Sequence, residues 1–374
     1  MKMPGSVLDL ARELIRIPSV NPAGDPGTDQ IGEKAIADYL CGFLREAGAD
    51  VSLVEILPGR PNVVARFHSN STAKKPRLAF APHTDTVGVS GMEVAPFGGE
   101  VRDGRLYGRG ACDTKGPMAA QLWALWQMRH QLADLSHEII FLGLMDEEAG
   151  QAGSIAAAAD DLADFVIVAE PTSMEIVHTH KGSIWLEVAT HGLAAHSSRP
   201  ELGKNAIYDM ARVVRCIEER LAPRLADEFH PILGSPTISA GVIRGGQKIN
   251  VVPDNCQLEV DVRTIPGMEN FLAQLTQEIQ LVCPTATVTV SKQSPALHTE
   301  TGHPLIANLM ELGSKPVGAP WFCDAAMFAA AGIPSIAMGP GSISQAHTAD
   351  EWIEVAELER GAEFFARFLQ SLQG

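Results

Sequence analysis

The sequence predicts an α/β protein in which a mostly parallel sheet is interrupted by an inserted α+β domain. Helix-like and strand-like patterns alternate over the first half of the chain, as they do in layered sheets with parallel strands. From Ser183 the order becomes β-α-β-β-α-β, the ferredoxin-like arrangement, and after about Ser294 the first pattern resumes. We therefore expect a main domain in two parts, residues 1–182 and 295–374, around an inserted domain at residues 183–294.

Apolar residues at helical spacing predict the helices of the main domain. The first covers residues 7–15 and should stop before Pro18, and the second covers residues 31–47. A third spans residues 117–130, because proline is tolerated in the first turn of a helix, and the last covers residues 354–372. Short, nearly continuous apolar runs predict strands buried on both faces: residues 62–67, 77–81, 138–145 and 164–169.

The inserted domain shows shorter strands in which apolar and polar residues alternate, as expected for a sheet with one solvated face. The predicted order is a strand at residues 184–190, a helix at 204–221, strands at 237–243 and 257–263, a helix at 268–282 and a strand at 286–291.

The composition excludes several classes of protein. Acidic residues outnumber basic ones by 45 to 29, which gives a formal net charge of −16, and so acidic a chain repels the phosphates of nucleic acid. No apolar run reaches the ~18 residues that a membrane span needs, and the first residues lack the apolar core of a signal peptide. The six cysteines are scattered without a C-x-x-C pair, which is typical of a reduced, cytoplasmic chain.

Polar residues follow three of the predicted strands at the points where the strands end. His83 and Asp85 follow the second strand, Glu147 and Glu148 follow the third, and Glu170 follows the fourth. Because the carboxyl ends of parallel strands meet at one edge of a sheet, where ligands bind, we expect these side chains to lie close together.

Two further candidates lie elsewhere in the chain. Asp113 belongs to a glycine-rich turn before the third helix, and His347 lies near the end of the sequence. Two histidines and several carboxylates, with no thiolate, suit zinc or a similar divalent ion. Asp113 is placed to bridge two such ions, which two-metal hydrolases hold ~3.5–4 Å apart.

Glu147 and Glu148 are adjacent, and their side chains are expected to point in opposite directions from an extended segment. One can ligate a metal while the other remains a free carboxylate. The free carboxylate would take a proton from the metal-activated water and pass it to the leaving nitrogen. Asp85, two residues after His83, is placed to orient that imidazole.

These motifs resemble those of the di-zinc metallohydrolases that include acetylornithine deacetylase, succinyl-diaminopimelate desuccinylase, aminoacylase and carboxypeptidase G. The resemblance covers nearly the whole chain and rests on these segments: His83-Thr84-Asp85, Gly108-Arg109-Gly110 with Asp113 and Lys115-Gly116, Glu147-Glu148, Glu170-Pro171 and His347. It implies a zinc-peptidase-like catalytic domain with an inserted lid and dimerisation domain, and it makes Glu147 the general base and acid. The implied ligands are His83 and Glu170 for one ion, Glu148 and His347 for the other, and Asp113 between them. Zinc is the expected ion, and cobalt or manganese suit the same ligands.

The resemblance also implies residues on the substrate side. His196 matches a histidine that family dimers insert into the partner's active site to stabilise the oxyanion, so a homodimer through the inserted domain is expected. Asn250 and Arg263 match substrate-binding positions, and the planar guanidinium of Arg263 suits an α-carboxylate. Asp324 is a further substrate-side candidate. It follows Cys323, where many relatives have threonine or serine, so the acyl group is left open.

The predicted function is metal-dependent hydrolysis of the amide bond of an N-acyl amino acid, as in the acetylornithine deacetylases of arginine biosynthesis. A desuccinylase-like deacylase and a glutamate-type carboxypeptidase that acts on a dipeptide are the alternatives. Glu170 argues against an aminopeptidase, because the family's aminopeptidases tend to have aspartate there. A non-catalytic binding protein would require the loss of a ligand or of Glu147, and a nicotinamide dehydrogenase would need glycine at the position of Asp113.

Overall fold

The computed structural model describes residues 3–268 and 270–373, and its chain forms two compact units. The first unit comprises the residues up to His178, Thr299–Val317 and the residues from Cys323 onward. The second unit comprises Thr179–His298 and Gly318–Phe322. Residues 1, 2, 269 and 374, which the predicted domain and helix ranges include, lie outside the described residues.

The elements are numbered in chain order. The α-helices are α1 (Val7–Ile15), α2 (Lys34–Glu46), α3 (Lys115–Met128), α4 (Ala152–Ala159), α5 (Ala206–Cys216), α6 (Ala222–Asp227), α7 (Phe271–Val282), α8 (Pro304–Glu311), α9 (Ala325–Ala330) and α10 (Val355–Ser371). The strands are β1 (Asp50–Leu57), β2 (Arg60–Phe67), β3 (Arg77–Ala81), β4 (Glu100–Arg102), β5 (Arg105–Tyr107), β6 (Glu138–Gly143), β7 (Phe165–Val168), β8 (Ile176–His180), β9 (Gly182–His191), β10 (Ala195–His196), β11 (Thr237–Gly245), β12 (Val251–Val252), β13 (Asn255–Thr264), β14 (Thr287–Ser294), β15 (Leu297–His298), β16 (Pro316–Ala319), β17 (Ser335–Ala337) and β18 (Trp352–Glu354).

The first unit contains a twisted central sheet in the order β1-β2-β6-β3-β7-β17-β8. Its central strands β6, β3, β7 and β17 are parallel neighbours, whereas β1, β2 and β8 pair antiparallel at the two sides. Every residue of β7 is buried, because helices cover both faces of such a sheet. The predicted α/β class with a mainly parallel central sheet is confirmed.

Several elements of the first unit were not expected from the sequence, among them strand β1 and helix α4. Strand β1 is mostly exposed and lacks the continuous apolar run of its neighbours. Helix α4 has the sequence AGSIAAAA, in which alanine dominates and little apolar periodicity is left to detect. Helix α3 begins at Lys115, two residues before the predicted start, so Pro117 lies in its first turn.

The second unit has the predicted β-α-β-β-α-β order, and its antiparallel sheet runs β11-β13-β9-β14. Leu186 and Val188 of β9 point to the core and pack with Met210 of α5 and Leu275 of α7, while Trp185 lies on the opposite, exposed face. The predicted helix at residues 204–221 is α5 followed by one π-helical turn, and the chain then continues into α6.

None of the helices within residues 3–268 and 270–373 is both long and apolar enough to cross a membrane.

Candidate metal centre

The carboxyl ends of three neighbouring parallel strands carry the candidate ligands of the first unit. Strand β3 lies between β6 and β7, so the residues after these strands reach the same edge of the sheet. His83 follows β3 and forms a parallel bridge with Leu144, which follows β6. Glu170 follows β7 by two residues. The strand order therefore places the three chain segments side by side, as the sequence predicts.

Asp113 lies between the two histidines. Its Oδ1 is 3.0 Å from Nε2 of His83, and its Oδ2 is 3.3 Å from Nε2 of His347. The loop that carries Asp113 contacts the segment after β7 through Thr114, whose Oγ1 donates to the carbonyl oxygen of Ala169 at 2.7 Å. The peptide bond between Asp113 and Thr114 is cis. The two oxygens of one carboxylate thus face two different imidazoles.

Two groups of side chains share Asp113. His83 and Glu170 form the first group with it, and Glu148 and His347 form the second, with the ligand atoms of each group within 4.8 Å of one another. Nε2 of His347 is 3.1 Å from Oε2 of Glu148. His347 has a φ of 63°, a left-handed conformation that is costly for a residue with a side chain and is concentrated at functional sites.

The chemistry of the donors fits divalent metal ions. They are imidazole nitrogens and carboxylate oxygens, which suit zinc, cobalt and manganese. A tetrahedral zinc ion ~2.0–2.1 Å from each ligand separates the ligand atoms by roughly 3.3 Å. The contacts of 3.0 Å between His83 and Asp113 and 3.3 Å between His347 and Asp113 are of this size.

The backbone holds His83 in the tautomer that a metal requires. Nδ1 of His83 is 3.0 Å from the carbonyl oxygen of Asp85. Because a carbonyl only accepts hydrogen bonds, Nδ1 carries the hydrogen, and Nε2 is left to face Asp113. Burial lowers the pKa of His83, but its contacts with Asp113 and Asp85 outweigh burial and raise that pKa well above its usual value.

The carboxylates of the site repel one another. Burial, and then the charges of Glu148, Asp324 and Glu170, raise the pKa of Glu147 well above its usual value, although the charge of His83 opposes them. Burial and the charge of Asp113 likewise raise the pKa of Glu170. The two histidines therefore do not balance the negative charge of the carboxylates, whereas bound cations would balance it.

His347 and Asp113 shift in the opposite sense because they pair with each other. Hydrogen bonds to Asp113 and Glu148 raise the pKa of His347 to about 10. Burial raises the pKa of Asp113, but hydrogen bonds from His347 and His83 outweigh burial and lower that pKa below its usual range.

The expected extended segment at Glu147 and Glu148 is wrong, because both residues lie in a turn. Strand β6 ends at Gly143, and Asp146 adopts a left-handed φ of 72°. Asp85 accounts for this turn: its Oδ1 accepts the N–H of Glu147 and its Oδ2 that of Glu148, each at 3.1 Å. Glu147 is 8% exposed and forms a third group with His83 and Glu148.

Asp85 acts differently from the sequence-based expectation. Its carboxylate is 3.6 Å from Nδ1 of His83, farther than its own carbonyl oxygen. The carboxylate instead accepts the two N–H groups of the Glu147–Glu148 turn and a hydrogen bond of 2.8 Å from Nδ2 of Asn21. Asn21 was missed, because an isolated asparagine after a helix carries no signal in the sequence.

Asp324 is fully buried in the first unit. Its Oδ1 accepts hydrogen bonds from Oγ of Ser154 at 2.5 Å and Nε2 of Gln151 at 3.3 Å, whereas no donor among residues 3–268 and 270–373 reaches its Oδ2. Burial raises the pKa of Asp324 to about 7, against the hydrogen bond from Ser154. Its charge in turn raises the pKa of Glu147, so Asp324 lies near the cluster.

The remaining candidates, His196, Asn250 and Arg263, lie in the second unit. The structure brings two of them together: β10, which carries His196, pairs with β12, and the carbonyl oxygen of Asn250 accepts the N–H of Ser197 at 3.1 Å. Nδ1 of His196 is 2.8 Å from Oγ of Ser198. Arg263 lies on β13, where its Nε donates to Oδ2 of Asp261 at 3.0 Å.

This fold and this donor set define the chain as an α/β metallohydrolase. It belongs to the peptidase family M20/M25/M40, whose model matches residues 79–371. The family resemblance seen in the sequence is thereby confirmed, and the chain is a metal-dependent hydrolase that acts on amide bonds.

Known proteins cover nearly the whole chain. It is 31% identical over 367 residues to an acetylornithine deacetylase of Vibrio vulnificus (strain CMCP6), which covers 94% of each sequence. Among solved structures, an aminopeptidase of Bacillus cereus superposes with a TM-score of 0.79 at 20% identity, over 98% of both chains. A dinuclear metal-binding peptidase of the M20 family from Bacillus subtilis gives 0.71 at 15% identity, also over 98% of both chains. At these identities the two structures establish the fold alone.

Proposed function

We propose that this enzyme hydrolyses the amide bond of N-acyl amino acids with the help of two divalent metal ions, with zinc as the expected ion. The observation that carries the proposal is the position of Asp113, whose two oxygens face His83 and His347 separately. The proposed ligands are His83 and Glu170 for one ion, Glu148 and His347 for the other, and Asp113 for both.

Two such ions would supply Lewis acidity and bring the pKa of bound water towards about 7. Glu147 is proposed to accept the proton of the attacking water and to deliver it to the leaving nitrogen. Its environment is consistent with this role, because burial and nearby carboxylates raise its pKa above the usual value, and catalytic carboxyl groups are commonly perturbed in this way. Asp85 accepts the N–H groups of Glu147 and Glu148, which fixes the backbone positions of the proposed base and the adjacent proposed ligand relative to each other.

N-acetylornithine is the first substrate to test, because the curated relative with 31% identity is named acetylornithine deacetylase. A role in arginine biosynthesis and a cytoplasmic location stay predictions. Arg263 is proposed to bind the substrate's α-carboxylate, with Asn250 and Asp324 as further substrate-side residues. Because Arg263 already contacts Asp261, a substrate carboxylate would have to share the guanidinium or replace that partner.

The test is a substrate panel with metal-free enzyme supplemented by zinc, cobalt or manganese. Release of acetate from N-acetylornithine and N-acetylcitrulline is compared with release of succinate from succinyl-diaminopimelate and of glutamate from C-terminal glutamyl dipeptides. Acetate release alone supports the deacetylase. Preference for succinyl-diaminopimelate would indicate a desuccinylase, and preference for the glutamyl dipeptides would indicate a carboxypeptidase. No turnover of any of these amides would refute the proposal.

We expect a homodimer through the inserted domain, residues 183–294. Strand β11 lies at one edge of its sheet, where free N–H and C=O groups invite a second strand. Ile243 on this strand is 55% exposed, and Tyr208 on α5 is 68% exposed. Light scattering should show a dimer, and Ile243→Lys should shift it towards monomer. Leu281→Lys, which changes an exposed residue of α7, is the matched control and should remain dimeric.

A catalytic role for His196 in the partner's active site is part of the same proposal. His196→Asn should lower kcat while both metals and the dimer are kept, because in this proposal the side chain binds no metal and acts on the developing oxyanion. Equal turnover by the variant and the wild type would remove His196 from the mechanism.

A further inference from the structure

A buried carboxylate outside the proposed ligand set contacts the loop that carries Asp113. Glu351, which directly precedes β18, is completely buried. Its Oε1 accepts the backbone N–H groups of Cys112 and Asp113, each at 2.9 Å. Its Oε2 accepts the N–H of Gly110 at 3.1 Å and Nη1 of Arg109 at 2.8 Å. One carboxylate therefore accepts hydrogen bonds from three backbone N–H groups and one guanidinium nitrogen of a single loop.

We infer that Glu351 is a positioning residue that fixes Asp113 between His83 and His347. This inference rests on the proposed function, in which Asp113 bridges the two metals. The N–H that Glu351 binds belongs to Asp113 itself, so the hydrogen bond fixes the point from which the bridging side chain extends. Small displacements of that point would move one of the two Asp113 oxygens out of reach of its imidazole.

The same contacts join the Asp113 loop to the His347 loop. Arg109 binds Glu351 through Nη1, and the same nitrogen donates to the carbonyl oxygen of Thr348 at 3.3 Å. Thr348 is the next residue after His347, which has a left-handed backbone. Glu351 and Arg109 thus hold the backbone on both sides of the contact between Asp113 and His347.

A carboxylate is required at this position because every partner is a donor. Two donors face Oε1 and two face Oε2. A glutamine has the same shape, but whichever way its amide is turned, its NH₂ group meets two donors, and buried donors without acceptors are costly. Burial raises the pKa of Glu351, and the charge of Arg109 and the N–H of Asp113 oppose that rise.

The experiment compares metal binding by the full-length wild type, E351Q and E354Q, each first stripped of metal. E354Q is the matched control, because Glu354 lies three residues away and makes a partly exposed ion pair with Arg105. Calorimetric titration with zinc gives the number of ions and their affinities, and titration with cobalt gives a visible absorption spectrum that reports ligand geometry. Circular dichroism checks that each variant is folded.

The wild type and E354Q should bind two ions with the same affinities and the same cobalt spectrum. E351Q should bind at least one ion about 10–100-fold more weakly, the loss typical of residues that orient metal ligands, and its cobalt spectrum should change. At saturating zinc, its kcat should fall more than its KM rises, because substrate binding is untouched.

The outcomes separate the inference from the proposed function. If the wild type does not bind two ions, the proposed function fails. If the wild type binds two and E351Q matches it in affinity and spectrum, only the inference is overturned. If E351Q does not fold, E351D is measured instead. It keeps the charge but is one methylene too short to reach all four donors, so weakened zinc binding supports the inference and wild-type affinity overturns it.

Discussion

Glu147 and Glu148 offer a sharp test of the mechanism, because the same change at two adjacent residues should have two different results. Glu148 contacts His347 at 3.1 Å and belongs to the group that shares Asp113. Glu147 is buried beside His83, and in the proposal it binds no metal. We expect Glu147→Gln to abolish proton transfer and Glu148→Gln to remove a metal ligand.

The magnitudes follow from these roles. Loss of a general base lowers turnover by roughly 10²–10⁴-fold, or about 2.7–5.4 kcal/mol of transition-state stabilisation. Glu147→Gln should therefore keep two metals with little change of affinity and lose kcat in this range. Glu148→Gln should weaken one metal by more than the about 10–100-fold that residues orienting a ligand contribute.

Glu147→Gln should also stabilise the metal-free protein. Burial and neighbouring carboxylates raise the pKa of Glu147, which means that the ionised form opposes folding at neutral pH. A neutral glutamine removes that penalty, and each kcal/mol gained raises the melting temperature by about 1–2 °C, given an unfolding entropy of ~2.1 cal/mol/K per residue. Glu148→Gln gains less, because it also loses the contact with His347.

The assay combines metal content by elemental analysis, kcat on the best substrate of the panel, and thermal unfolding without metal. Wild-type kcat in Glu147→Gln would place the proton carrier elsewhere. Loss of a metal in the same variant would make Glu147 a ligand, and two tightly bound metals in Glu148→Gln would refute the proposed ligand set.

Three further predictions concern the supporting residues and the metals. In Asp85→Asn the amide must turn its NH₂ towards the N–H of either Glu147 or Glu148. The free energy of unfolding of the metal-free protein, measured in urea, should therefore fall by about 1–3 kcal/mol, and kcat should fall as well. An unchanged kcat would contradict the positioning role. Chelation should lower the melting temperature, and free zinc at 100 times its Kd should restore about 2.7 kcal/mol; a melting temperature insensitive to chelation would argue against a metal centre. Burial lowers the pKa of His303, so the protein should lose stability as pH falls through the unfolded-state pKa of about 6.5. His303→Asn, which retains an acceptor for the N–H of Leu305, should reduce this loss when the free energy of unfolding is measured from pH 8 to 5. An unchanged pH dependence would contradict the prediction.

The fold class could be predicted from the sequence because its evidence is local. Continuous apolar runs mark β3, β6 and β7, and helical spacing marks α1, α2 and α10. Elements without such a pattern, such as the exposed strand β1 and the alanine-rich helix α4, could not be found in this way. Their formation depends on the neighbours that they pack against.

The sequence by itself determined which residues are available to the metal centre, since ligand-type side chains directly follow buried strands and the strand ends share one edge. Only the tertiary structure decided how they are arranged. It showed that Asp113 faces both histidines, that Asp85 holds the Glu147–Glu148 turn, and that Glu351 binds the Asp113 loop. The physical reason is distance along the chain: Glu351 and Asp113 are 238 residues apart, and a hydrogen bond between them exists only after packing has brought their segments together.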